Sequence, residues 1–250
     1  MPEALASVLA IPGFWWLVVA ISTAGLVRGF TGFGTALIVV PVAGLFLSSA
    51  QVIATITLTG IASTFALLPR AWRQSDRTEV GVLVIAALFT VPLGLTVMDR
   101  LDGLTIRWIV AAVAGGTLAA LISGWRFSGK MNNPGLVAIG AVAGLVGGMT
   151  GLTGPIVILF YLAGQSAAQS VRANTILFLG ALDVAIIGNL LLRGFAGWSV
   201  LWLALVLAVP YFITTMIGQA LFDPKQERLY RYAAFAVIGL AVVTGLPVWS

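Results

Sequence analysis

The chain has 250 residues, of which 60% are hydrophobic and only 8% are charged, and its formal net charge is +5. A soluble domain carries about 25% charged residues, so this composition excludes a water-soluble globular protein and predicts a polytopic membrane protein. The chain contains no cysteine and no histidine, which excludes disulfides, thiolate or imidazole metal sites, and catalysis by either residue. We therefore expect no metal and no cofactor.

Ten apolar segments follow one another along the chain. Long runs without alternation exclude a β-barrel, whose strands alternate with a period of two, so the predicted fold class is all-α. The predicted segments are Phe14–Val27, Thr35–Leu47, Val52–Leu68, Val80–Met98, Leu104–Trp125, Gly135–Met149, Pro155–Gly164, Ala173–Leu192, Ser199–Phe222 and Leu229–Val248. The first two of each half fall short of the roughly 20 residues that span a bilayer. They are predicted to be hairpins of half-helices or of short tilted spans, which gives about eight to ten transmembrane segments.

Each half of the chain opens on a glycine-threonine motif. The sequence GLVRGFTGFG, which begins at Gly25, shares six of ten positions with GLVGGMTGLT, which begins at Gly144. We call residues 29–35 the first knot and residues 148–155 the second knot. The similarity predicts a duplication into repeats 1–130 and 131–250, joined at residues 131–134. Since each repeat has about five segments, two of which form a hairpin, the repeats should be inverted relative to each other.

The basic residues predict how the chain is oriented. With the N-terminus outside, ten of the 13 lysines and arginines fall on the inner side, and Arg100, Arg107 and Arg193 fall on the outer side. Loops on the cytoplasmic side carry an excess of such residues. The sequence therefore predicts a multi-pass protein of the inner membrane with its N-terminus outside. The positive charge is explained by this orientation, so nucleic acid is not an expected partner.

The two knots are candidate parts of a substrate site. In transporters with broken helices, the free N–H groups and positive dipole ends of half-helices face anionic substrates. The second helices are expected to begin at Thr35 and Pro155. Glycines with the GxxxG spacing also allow helices to pack closely, and both uses are compatible. The predicted substrate-binding residues of the knots are Gly29, Thr31, Gly32, Gly34, Thr35, Gly148, Thr150, Gly151, Thr153 and Gly154.

Arg28 breaks the symmetry between the knots, because the corresponding residue of the second half is Gly147. A guanidinium deep in the membrane costs at least ~3 kcal/mol, and there it would bind a small oxyanion through two hydrogen bonds. The alternative is that the hairpin spans the bilayer and Arg28 extends to the aqueous face. Both readings stay open from the sequence. Arg172 is a weaker candidate of the same kind.

Asp183 is the single carboxylate in the middle of an apolar segment. Acids in such positions are functional hypotheses by default, so Asp183 is predicted to be a protonatable coupling site or the counter-charge of an arginine. The alternative is a buried acid that is hydrogen-bonded for packing. Asn174 and Asn189 are weaker polar candidates, since single amides in membrane helices more often hold helices together.

The duplicated knot, the apolar run that follows it and Pro41 resemble the TauE/SafE sulfite exporter family of membrane permeases, over nearly the whole chain. The resemblance implies secondary transport of a small anion such as sulfite or an organosulfonate, which we expect to occur by alternating access. An anion channel is the first alternative. A membrane-embedded enzyme is the second, disfavoured because the chain lacks a nucleophile–base pair. The expected partners are the anion and the lipid bilayer, and a homodimer is left open.

Overall fold

The computed structural model describes residues 2–124, 133–163, 168–194, 197–221 and 227–249, and within these ranges the regular structure is helical. Six of the described helices, α2, α5, α6, α7, α9 and α10, are long and apolar enough to cross a membrane. The helices are α1 (Pro2–Leu9), α2 (Phe14–Thr31), α3 (Thr35–Ala43), α4 (Ser49–Gln74), α5 (Arg77–Arg100), α6 (Gly103–Ile122), α7 (Asn133–Thr150), α8 (Pro155–Ala163), α9 (Ala168–Leu192), α10 (Trp198–Leu221) and α11 (Glu227–Gly245), followed by a short 3₁₀ helix (Pro247–Trp249).

Each of the ten predicted segments is a helix, from α2 to α11. The short helices α3 and α8 have nine residues each, about 14 Å, and they begin at Thr35 and Pro155 as predicted. The first member of each pair is not short, because α2 and α7 have 18 residues each. The prediction that these two are half-helices is therefore wrong. The helical hydrogen bonds continue through the glycines of each motif as far as Thr31 and Thr150.

The pattern of helix packing is the same for both halves. Helix α2 packs on α10 as α7 packs on α5, α3 packs on α11 as α8 packs on α6, and α4 crosses α9. Exchanging α2–α6 with α7–α11 leaves these pairs unchanged, which agrees with a duplication. The inversion of the halves relative to a membrane and the boundary at residues 130 and 131 stay predictions. Residues 125–132 lie outside the described residues, and with them half of the predicted joint and the basic residues Arg126 and Lys130; Lys225 lies outside them as well.

The glycines at the ends of α2 and α7 bring helix backbones into contact. A side-chain carbon on Gly29 would lie 2.5 Å from the carbonyl oxygen of Thr215 in α10, and one on Gly148 would lie 2.5 Å from the carbonyl oxygen of Val91 in α5. In lipid, where no hydrophobic force acts between helices, such close contact is the main source of attraction between them. The glycine spacing therefore serves packing at these positions.

This contact predicts that Gly29→Ala lowers the thermal stability of the protein in detergent. The added carbon must displace the α10 backbone, and overpacking of this kind costs about 1–3 kcal/mol. Gly81→Ala in α5 is the matched control, because nothing lies within 4 Å of its added carbon and alanine is the better helix former. Equal melting temperatures for the two variants would contradict the packing role of Gly29.

Candidate functional site

The first knot is a helix end closed by one hydroxyl and one glycine. Gly32 has a φ of +81°, a left-handed conformation that favours glycine, and its N–H donates to the carbonyl oxygen of Arg28 at 2.7 Å. The Thr31 hydroxyl donates to the carbonyl oxygen of Val27 at 2.8 Å and accepts from the N–H of Phe33 at 3.2 Å. The chain can therefore leave α2 and enter α3 after only three residues.

The second knot has the same construction. Gly151 has a φ of +78°, and its N–H donates to the carbonyl oxygen of Gly147 at 2.8 Å. The Thr150 hydroxyl donates to the carbonyl oxygen of Val146 at 2.7 Å and accepts from the N–H of Leu152 at 3.1 Å. Thr31 and Thr150 thus make the same backbone hydrogen bonds at the two helix breaks, and their hydroxyls are occupied by these bonds.

Both knots meet at one small cavity, which we call the central cavity. Its volume is about 20 Å³, room for about one water molecule. Helices α2, α3, α4, α8, α9 and α10 contribute to it, so both halves of the chain are represented. The lining residues are Arg28, Phe33, Gly34, Thr35, Ala36, Leu37, Ile56, Gly60, Gly151, Thr153, Gly154, Pro155, Ile158, Leu179, Asp183 and Tyr211.

The Arg28 side chain is enclosed by protein, with 4% of its surface exposed. Its Nη2 donates to the Thr64 hydroxyl at 3.1 Å, and its Nε has no hydrogen-bond partner among the described residues. The structure therefore does not support the alternative in which Arg28 extends to the aqueous face. Since a guanidinium has five N–H donors, Arg28 keeps donor capacity next to the central cavity.

Asp183 approaches the same cavity from α9. The side chain is 6% exposed, and its carboxylate lies directly against the α-carbon of Gly60 in α4, where a side-chain carbon would collide with Oδ2. Arg28 and Asp183 both line the central cavity. Its wall thus contains one basic and one acidic side chain.

The first turn of α3 is the third polar part of the cavity wall. The Thr35 hydroxyl is hydrogen-bonded to the Tyr211 hydroxyl at 2.7 Å, and both side chains are buried. Gly34, which precedes the helix, supplies no capping side chain, so the first-turn N–H groups of α3 face the cavity region without such a partner. The positive end of a helix therefore lies at the cavity beside Arg28.

Two residues of the site with hydroxyl groups, Tyr211 and Thr64, were not predicted from the sequence. Tyr211 follows the Val209-Pro210 pair, which repeats Val91-Pro92 of the first half, and this repetition was a usable signal. Thr64 is four residues after Gly60 in α4, on the same helix face. A search of α4 for polar residues spaced three or four positions from its small residues would have found Thr64.

The structure brings only some of the predicted site residues to the central cavity. Those that line it are Arg28, Gly34, Thr35, Gly151, Thr153, Gly154 and Asp183. The remaining knot residues build or pack the helix ends beside it, and they are Gly29, Thr31, Gly32, Gly148 and Thr150.

The three weaker candidates make contacts that hold the chain together. Arg172 donates from Nη2 to the carbonyl oxygen of Gly29 at 3.0 Å. The side-chain oxygen of Asn174 accepts from the N–H of Asp76 at 2.8 Å, and Asn189 donates to a carbonyl oxygen of its own helix at 2.9 Å. None of the three lines the central cavity.

Comparison with known proteins places this arrangement in a family. The family model described as "Sulfite exporter TauE/SafE" matches residues 17–245, which include both knots and every residue that lines the central cavity. The chain belongs to the TauE/SafE family. The "Probable sulfite/organosulfonate exporter TauE" of Cupriavidus necator is similar to it, with 26% identity over 233 residues, 88% of this chain and 89% of that protein. No solved structure matches the chain.

Membership confirms the resemblance drawn from the knots. TauE/SafE proteins are exporters, so this chain is a membrane transporter and not an enzyme. Its long apolar helices agree with a multi-pass membrane protein. A family of sulfite exporters also implies a small anionic substrate, which fits a cavity wall that contains an arginine and the positive end of a helix.

The construction of the knots predicts that Thr31→Val destabilises the protein. Valine keeps the shape of threonine but leaves the N–H of Phe33 without its acceptor, which costs about 1 kcal/mol. Thr23→Val is the matched control, because the Thr23 hydroxyl makes a bond of the same kind, to the carbonyl oxygen of Val19 at 2.8 Å, within an unbroken part of α2. Melting temperatures in detergent compare the two. An equal loss in both would contradict a special role for the knot threonine.

Proposed function

We propose that this chain exports a small sulfur oxyanion or organosulfonate across the inner membrane by alternating access, with Arg28 as its principal ligand. One observation carries the proposal. A buried arginine, the first turn of α3 and both knots converge on one cavity. The name of the Cupriavidus necator relative, a probable sulfite/organosulfonate exporter, supports this choice of substrate class.

The chemistry of the cavity wall suits an oxyanion. The guanidinium of Arg28 offers donors that match pairs of oxygen atoms, and the N–H groups at the start of α3 add neutral donors that favour negative charge. The Thr153 residue of the second knot lies in the wall from the other half of the chain. An anion held in this way bridges the two repeats, which is where inverted-repeat transporters place their substrates.

The small volume of the central cavity supports a carrier over a channel. A cavity of about 20 Å³ accommodates about one water molecule, and sulfite with its several oxygen atoms is larger. The helices that surround it must therefore move apart to admit the anion from one side and release it to the other. A channel would need a continuous wet path. Counter-flow separates the two, since external unlabelled anion accelerates efflux of labelled anion only through a carrier.

Asp183 suits a role in proton coupling. An ionised carboxylate in the cavity wall repels an anion and competes with it for Arg28, whereas a protonated one does neither. The other ionisable or hydroxyl groups of this region come from both halves of the chain, and they are Arg28, Thr35, Thr64, Thr153 and Tyr211. We infer that a proton and the anion occupy the site together, with the proton on Asp183.

The proposal predicts that Arg28→Ala strongly reduces anion efflux. Purified protein in liposomes is loaded with radiolabelled sulfite, sulfoacetate, thiosulfate or small carboxylates, and efflux rates are compared. Loss of the charged donors should lower the rate for the preferred anion about 100-fold, and Arg28→Lys should retain part of it because the charge stays. Arg193→Ala is the control, since Arg193 bonds to Pro92 and Thr96 at an exposed helix end. Normal efflux through Arg28→Ala would show that the site is elsewhere.

The coupling role predicts a change in pH dependence for Asp183→Asn. Wild-type efflux should vary with pH because Asp183 must take up and release a proton in each cycle, whereas the asparagine variant should be slow and insensitive to pH. Anion-driven proton movement, followed with a pH-sensitive dye inside the liposomes, should disappear in the same variant. Full wild-type rates for Asp183→Asn at every pH would refute coupling through this residue.

Orientation and assembly are further parts of the proposal. Arg28 lies inside the protein and does not count among the loop charges, so nine basic residues remain on the proposed inner side against three outside. This balance still supports an N-terminus outside the membrane. Protease access to an N-terminal tag in intact cells tests the orientation, and cross-linking in membranes tests the homodimer.

A further inference from the structure

A second cavity lies beside the central one and is much larger, with a volume of about 280 Å³. We call it the Arg107 cavity. It is enclosed by the end of α3, the starts of α4 and α6, and the end of α11. The residues that line it are Val40, Pro41, Gly44, Leu47, Ser48, Ser49, Val52, Gly103, Leu104, Ile106, Arg107, Val110, Thr150 and Gly245.

Arg107 is the single charged residue among the described residues that line this cavity. Its side chain is half-buried, and its aliphatic stem passes close to Gly44. The uncharged polar residues of the wall are Ser48, Ser49 and Thr150, and no acidic residue is among the described residues that line it. The positive charge of Arg107 gives the cavity a local field that favours small anions.

The two cavities are neighbours along three elements. Leu37 lines the central cavity and Val40 lines the Arg107 cavity, both from α3. In α4, Ile56 lines the central cavity and Val52 lines the Arg107 cavity. In the second knot, Gly151 lines the central cavity and Thr150 lines the Arg107 cavity.

Apolar residues pack between the linings of the two cavities. A side-chain carbon on Gly151, in the wall of the central cavity, would lie 3.5 Å from Val40, in the wall of the Arg107 cavity, and 3.3 Å from Ile53, which is 1% exposed. An anion that passes from one cavity to the other therefore requires this packing to open.

We propose that the Arg107 cavity is a second anion-binding station, which receives the sulfur oxyanion or sulfonate from the central cavity and releases it outside. This inference rests on the proposed function. The cavity has room for a small anion with part of its hydration, which the central cavity lacks. It lies at the end of α4 opposite Arg73 and at the start of α6, the outer side in the predicted orientation.

Single cysteines test the station, since the chain has none of its own. Ser49→Cys places a thiol of similar size in the cavity wall, and Ser199→Cys at the exposed start of α10 is the control outside it. Intact cells are treated with a membrane-impermeant maleimide, with and without external sulfoacetate, which does not react with the reagent. Sulfoacetate should slow the labelling of Ser49→Cys and leave Ser199→Cys unchanged, whereas gluconate should protect neither.

Arg107 is then removed in the Ser49→Cys background. Arg107→Ala should raise the sulfoacetate concentration for half-protection about tenfold, and Arg107→Lys should raise it less because the charge stays. Arg100→Ala is the matched control, since Arg100 is an exposed arginine at the end of α5 and does not line the cavity. Labelling without sulfoacetate shows whether each variant is folded with the cavity accessible.

Three results would overturn the proposed second station. The first is no labelling of Ser49→Cys from outside, and the second is equal protection by sulfoacetate in Arg107→Ala and in the wild-type background. The third is loss of protection in Arg28→Ala, which would mean that the anion protects from the central cavity. Liposome efflux distinguishes this failure from failure of the proposed function. If efflux depends on Arg28 but the sulfoacetate concentration for half-protection is unchanged in Arg107→Ala, only the second station is refuted. If wild-type protein moves none of the sulfur anions, the proposed function itself fails.

Discussion

The site depends on how a helix can end inside a membrane. Lipid offers no hydrogen bonds, so each backbone group freed by a break needs a partner within the protein. Here the break is only three residues long in the first knot, and the Thr31 hydroxyl and the left-handed Gly32 close the end of α2, with the N–H groups of Gly32 and Phe33 both hydrogen-bonded. Because this solution is local and compact, the start of the next helix can lie deep in the protein, where its N–H groups act on the cavity.

The two halves of the chain pack in the same pattern, but they contribute different side chains to the cavity. Arg28 comes from the first half and Asp183 from the second. The α4–α9 crossing accommodates both, because Asp183 lies against Gly60 and Thr64 lies against Gly180. Thr64 in turn accepts from Arg28. A small residue on each helix thus makes room for a polar residue on the other, which allows a cation and an acid to share one wall.

Much of this could be predicted from the sequence because the signals are local. Apolar runs located all ten helices from α2 to α11, and the knots located the starts of α3 and α8. The lengths of α2 and α7 were underestimated, because the predicted segments stopped at charged or polar residues such as Arg28, Asn133 and Thr150, whereas the helices include these residues. Whether Gly29 faces a substrate or a helix could not be read from the chain, since the answer lies in α10, nearly 190 residues away. For the same reason, the role of Tyr211 became clear only from its contact with Thr35.

The shortness of α3 and α8 has a mechanical consequence. A nine-residue helix is marginal on its own, so its position is set by the helices around it more than by its own stiffness. The bond between Thr35 and Tyr211 fastens the start of α3 to α10, while its other end lies against α11. The short helix α3 thus links α10 to α11. A rotation of α10 relative to α11 should therefore move the start of α3, which lies in the cavity wall.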